Sequence, residues 1–91
     1  FLADNQNVQL NYQKISPTKY IVNIKNPSGD FELIFKETYS DGWVAQTDQS
    51  FFKHIKVYGY ANGWQINKSG NFQIEVEFRV WPSWKFLPQY L

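Results

Sequence analysis

The pattern that most constrains this chain is a strict two-residue alternation in its last third. Phe72, Ile74, Val76, Phe78 and Val80 take turns with Gln73, Glu75, Glu77 and Arg79. Successive side chains of an extended strand point to opposite faces, so a pleated strand here buries one row and leaves the other in water. A helix would scatter the same residues around its circumference. Shorter runs repeat the period: Tyr20, Val22 and Ile24 alternate with Ile21, Asn23 and Lys25, and Phe31, Leu33 and Phe35 with Glu32, Ile34 and Lys36. Between these two runs lies Asn26-Pro27-Ser28-Gly29-Asp30, whose Pro and Gly suit a turn. Val8, Leu10 and Tyr12 predict an opening strand, and Ile55 and Val57 a central one entering Gly59.

Turn chemistry separates these runs at Ser40-Asp41-Gly42, Asp48-Gln49-Ser50, Ala61-Asn62-Gly63 and Lys68-Ser69-Gly70-Asn71. Asn62-Gly63 carries the strongest hairpin signal, because a two-residue type I′ turn needs positive φ at both central positions; residues 58–60 are expected to fold back onto 64–66 there. Six to eight short antiparallel strands, each with one apolar face, predict a two-sheet β-sandwich of jelly-roll or immunoglobulin-like topology, one domain over residues 1–91. A chain this short hides only about 60–70% of the surface its unfolded form exposes. With no Cys for a disulfide, its eight Phe, six Tyr and four Trp must supply much of the core. The tail 81–91 breaks the alternation with two prolines, and its Trp81, Trp84 and Phe86 are expected either to cap the open end of the sandwich or to meet a partner surface or lipid headgroups.

Several function classes lose ground on composition. Nine Lys+Arg against eight Asp+Glu give a net charge of +1, too little for the basic field that holds nucleic acid. Absent Cys removes thiolate nucleophiles and the usual structural zinc sites, and His54, the single His, is better read as a hydrogen-bonding residue at a strand edge than as a metal ligand. Glu75 and Glu77 share a face that should be solvated in any case. There is no G-x-S-x-G elbow and no P-loop, so the expectation is a non-catalytic module without cofactor or metal. The longest apolar runs are a few residues, far short of the ~20 that cross a bilayer as a helix. The chain opens at Phe1 and contains no Met, which reads as a processed product or an excised domain. Asn67-Lys68-Ser69 forms a glycosylation sequon in a turn, a triplet common enough by chance to carry no weight.

Two aromatic-glycine segments attract more attention: Tyr39-Ser40-Asp41-Gly42-Trp43 and Tyr60-Ala61-Asn62-Gly63-Trp64. Tyr39, Trp43, Tyr60 and Trp64 offer ring faces for pyranose stacking, Tyr58 lies near the same loops, and Asp41 and Asn62 can hydrogen-bond hydroxyls, the mix of apolar platform and convergent polar groups a glycan site needs. The plainer alternative makes Trp43 and Trp64 core anchors on neighbouring strands, with the glycines serving turn geometry.

The run Glu37-Thr38-Tyr39-Ser40-Asp41-Gly42-Trp43-Val44-Ala45, with the strands before it from Lys19, resembles the soluble β-sandwich domain of multi-pass bacterial membrane proteins of the YfhO-like and arabinofuranosyltransferase-like kind. The string Gly59-Tyr60-Ala61-Asn62-Gly63-Trp64 and the final strand extend the likeness over residues 17–80. It implies an extracytoplasmic accessory domain of a glycosyltransferase-like membrane protein, with catalysis in parts of that protein outside this chain, glycan or a neighbouring protein domain as partner, and the C-terminal aromatics near the membrane surface. The family turn usually carries Pro before Gly-Trp where this chain has Asp41. A structural or adhesive cell-surface module is the alternative.

Overall fold

The computed structural model describes residues 1–48 and 50–79. The described residues form nine strands: β1 (Leu2–Ala3), β2 (Gln9–Ser16), β3 (Lys19–Asn26), β4 (Phe31–Thr38), β5 (Trp43–Thr47), β6 (Ser50–Phe51), β7 (Lys53–Val57), β8 (Ala61–Ile66) and β9 (Gly70–Phe78). They make two antiparallel sheets, one of order β1-β4-β8-β7 and the other of order β2-β3-β9-β5-β6. The expected two-sheet sandwich is therefore the fold, with β1 and β6 only two residues long. The expectations for Trp81, Trp84 and Phe86 lie outside the described residues.

The alternation sets the layers. Tyr20, Val22 and Ile24 of β3 stand opposite Val76, Ile74 and Phe72 of β9, and this row meets Phe31, Leu33 and Phe35 of β4 and Trp64 and Ile66 of β8 in one core. Val22, Leu33, Trp64, Ile74 and Val76 are 0% exposed. At about 25 cal/mol per Å² of apolar surface removed from water, these rows are the main source of stability. Phe35 bridges the layers, stacked 4.3 Å from Phe1 and edge-on to Trp43 at 4.9 Å.

The other face of the β3–β9 sheet is wet. There an amide ladder runs from Gln73, whose Nε2 donates to Asn23 Oδ1 at 2.9 Å, to Asn23, whose Nδ2 donates to Asn11 Oδ1 at 2.9 Å. Glu75 pairs with Lys19 at 3.5 Å and Glu77 with Arg79 at 3.0 Å. Such exposed pairs contribute little to stability. Glu75 and Glu77 thus sit on the solvated row that the alternation predicts.

The β7–β8 hairpin departs from the expected one. Its turn is Val57-Tyr58-Gly59-Tyr60, closed by the Tyr60 N–H donating to Val57 O at 3.1 Å, with φ of +54° at Tyr58 and +77° at Gly59. Positive φ at both central residues is the type I′ signature. Asn62 and Gly63 lie inside β8 instead. A Cβ at Gly63 would stand 2.7 Å from Val57 Cγ1, so the glycine is there to let the β7 side chains lie across it.

Candidate functional site

Two connections and a strand end crowd one corner of the sandwich: Tyr39–Gly42 between β4 and β5, the Tyr58–Tyr60 turn, and the start of β8. Asn62 ties them. Its Nδ2 donates to Glu37 O at 2.9 Å and Thr38 O at 3.4 Å, while its Oδ1 accepts from the Ser40 N–H at 3.3 Å. The β4–β8 register shifts between Phe35↔Asn62 and Thr38↔Ala61, leaving Lys36 and Glu37 without partner residues in the ladder, and the buried amide supplies a donor to the Glu37 carbonyl.

The same Oδ1 lies 2.9 Å from His54 Nε2. Because two carbonyls fix the orientation of the Asn62 amide, its oxygen faces the imidazole, and His54 must carry a proton on Nε2. The ring lies in a pile of three, 4.9 Å from Trp64 and 4.7 Å from Tyr39 between centroids, tilted 14° and 20°. Burial holds the imidazole below its ordinary pKa, opposed in part by the Asn62 hydrogen bond and the Asp41 charge. His54 is therefore a hydrogen-bonding residue of the β7 edge strand.

Further out, the Tyr39 hydroxyl donates to Asp41 Oδ1 at 3.0 Å, and this bond, then burial and the carboxylate charge, raise the phenol pKa. Lys56 Nζ stands 5.1 Å from the Tyr39 ring centre. The Tyr39 N–H donates to Tyr60 O at 2.6 Å, which joins the backbones of the two connections. Gly42 packs against Phe78, whose ring atom would be 2.6 Å from a Cβ there, and this contact seats the turn before Trp43.

The six residues proposed from the sequence as a glycan platform thus divide. Trp64 and Asn62 are both 0% exposed, so neither offers a surface to a ligand; Trp64 anchors the core and Asn62 is spent on backbone groups. Trp43 is half-buried, edge-on to Phe35 and 5.2 Å from Phe78, so for both tryptophans the core-anchor alternative describes their place. Tyr39, Asp41 and Tyr60 remain at the surface, with Tyr60 49% exposed. Tyr58, which the sequence sets near the same loops, is 64% exposed at the tip. Sequence reasoning missed that the turn itself falls at Tyr58-Gly59 and that Lys56 stands beside Tyr39; Gly59 after a strand and before Tyr60-Ala61 was the available signal for the turn, masked by the stronger Asn62-Gly63.

An open groove of about 520 Å³ lies away from this corner, lined by Asp4, Asp30 and Glu32 with Phe51 and Lys53 among others. Glu32 is held above the ordinary carboxylate pKa, mainly by burial and then by the Asp4 charge. No protein-family model, curated protein or solved structure matches this chain.

Proposed function

We propose that this domain is a non-catalytic extracytoplasmic accessory module of a glycosyltransferase-like membrane protein and that it contacts glycan through Tyr39, Asp41 and Tyr60. The observation that carries the reading is the backbone bond from the Tyr39 N–H to Tyr60 O, which sets two tyrosines at one corner, with a carboxylate on the Tyr39 hydroxyl and the Lys56 ammonium beside its ring. Rings of this kind stack on the apolar faces of sugars while carboxylate and ammonium bond hydroxyls. The membrane-protein context comes from the resemblance of the Glu37–Trp43 and Gly59–Trp64 strings. Trp64, Asn62 and Trp43 take no part in contact; they hold the corner in place.

Titration with a panel of bacterial cell-envelope oligosaccharides, followed by amide chemical shifts, tests this. Perturbations should centre on residues 39–41 and 56–60, and Tyr60→Ala or Asp41→Asn should weaken binding by about tenfold with the fold retained. A panel that perturbs nothing, together with self-association on sedimentation, would favour the structural or adhesive module instead.

A further inference from the structure

The strands at the four edges of the two sheets are guarded unequally. β1 and β6 are two residues long, and β7 spans Lys53–Val57 with lysines at both 53 and 56. Very short strands and lysines are what keep an open row of backbone N–H and C=O groups from pairing with another chain. β2 has neither protection along most of its length. It runs eight residues, pairs with β3, and is exposed at every position except Leu10 and Ser16. Over Gln9-Leu10-Asn11-Tyr12-Gln13 it carries no charge, no Pro and no Gly; Lys14 and the register shift between Lys14 and Ser16 come only after that run.

Both faces of the sheet are also unfinished at this edge. On the wet face the amide ladder from Gln73 through Asn23 stops at Asn11, whose Oδ1 accepts from Asn23 and whose Nδ2 has no bond among the described residues. On the core face Leu10 and Tyr12 stand in register with Ile24 and Val22, in a row that is buried on the strands behind them. Tyr12 is nonetheless 50% exposed, its ring 5.2 Å from Phe1 and 6.1 Å from Tyr20.

We infer that β2 is the contact between two copies of this chain, which pair it antiparallel about a two-fold axis at Asn11 and so join their five-stranded sheets edge to edge. In that register Asn11 meets Asn11, Gln9 meets Gln13 and Leu10 meets Tyr12. The wet row continues amide against amide, and the core row apolar side chain against apolar side chain. Charge selects β2 over β7 as the partner edge. Self-pairing over 9–13 leaves Lys14 outside the paired run, whereas β7 of a second copy would bring Lys53 and Lys56 along a strand that ends in Lys14, with no carboxylate on either strand. A two-fold contact uses up both β2 edges and closes at a dimer. A contact over 9–13 alone is small, so the dimer is weak, with a Kd on the order of 10–100 µM. Tyr39, Asp41 and Tyr60 lie on other segments, which makes this inference independent of the glycan reading.

Sedimentation equilibrium of the full 91-residue chain between about 1 and about 500 µM tests the pairing: monomer should convert to dimer and stop there. Asn11→Lys and Asn11→Glu each set like charges face to face at the axis and should weaken the dimer by at least about tenfold. Mixed in equal amounts, the two variants should pair with each other at least as well as the parent does. Asn11 is exposed, so both should keep the parent's circular dichroism spectrum. Amide exchange of the parent reads the same contact without a substitution. Alternate amides within 9–13 should exchange about threefold more slowly at about 500 µM than at about 10 µM, with those of 53–57 unchanged. A chain that stays monomeric, association that grows past the dimer, variants that associate like the parent, or a mixture that remains monomeric would each overturn the proposal. Slowing at 53–57 in place of 9–13 would do the same, by moving the contact to β7. Oligosaccharide titration of Asn11→Lys should perturb residues 39–41 and 56–60 as in the parent, so that failure of either proposal leaves the other readable.

Discussion

Asn62-Gly63 and Tyr58-Gly59 stand four residues apart on one hairpin and do opposite work. Asn62 is 0% exposed and spends its amide on the carbonyls of Glu37 and Thr38, the Ser40 N–H and His54, and Gly63 makes room for Val57 and Ile55. Tyr58 is 64% exposed, sits at positive φ, and Gly59 turns the chain. The inner pair follows the demands of burial, where every polar group needs a partner and every Cβ needs space. The outer pair satisfies no such demand: Tyr58 leaves most of its surface in water while its backbone is strained. A residue that strains the backbone while most of its side chain stays in water is a better pointer to function than a buried aromatic is.

The largest expected effect breaks the inner half. Trp64→Ala should cost about 3–5 kcal/mol through lost burial and a cavity between the sheets, whereas Tyr60→Ala should change stability by less than about 0.5 kcal/mol. Thermal unfolding followed by circular dichroism measures both, and similar costs for the two would erase the distinction between inside and outside at this corner.

A smaller effect sharpens it by pH. Burial favours neutral His54 in the fold, with its pKa below the ordinary 6.5, so below that value the unfolded chain binds more protons than the folded one. Stability should fall as the pH drops through 6.5 and the loss should level off once the folded imidazole also protonates; above 6.5 the group contributes nothing. Urea midpoints taken between about pH 7.5 and about pH 5 should show this decline, and His54→Gln should flatten it. A parent protein as steady over that range as the variant would place His54 in water and undo the ring pile.

Much of the fold was legible because period-two alternation is a direct image of the pleat. The buried rows of β3, β4 and β9 follow the apolar residues of the sequence almost one for one, and Gln73 and Asn23 fall on the wet face as their positions require. Ile34 breaks the pattern: it is 1% exposed on the row opposite Leu33 and Phe35, where it neighbours Leu2 and the side-chain-free Gly63. The hairpin was misread because Asn-Gly is the best local turn former, yet the β4 bulge needed a buried amide at Asn62 more than the turn needed it. Long-range demands of this kind leave no trace in local sequence. The candidate site was half legible for the same reason. Aromatic-glycine spacing located the corner, but only pairing across sheets decides that Trp64 points in and that Tyr39 and Tyr60 lie at the surface.

Urea unfolding of Asn62→Ala and Tyr58→Asn, run beside the parent protein, tests the division of this corner most directly. Asn62→Ala strands buried backbone groups and should lose about 2–4 kcal/mol, while Tyr58→Asn relieves the left-handed backbone and should gain about 0.5–1 kcal/mol. Changes of opposite sign are the predicted result. Loss of stability in both variants, with Tyr58→Asn falling as far as Asn62→Ala, would mean that the tip is as structural as the amide beneath it and would contradict the account.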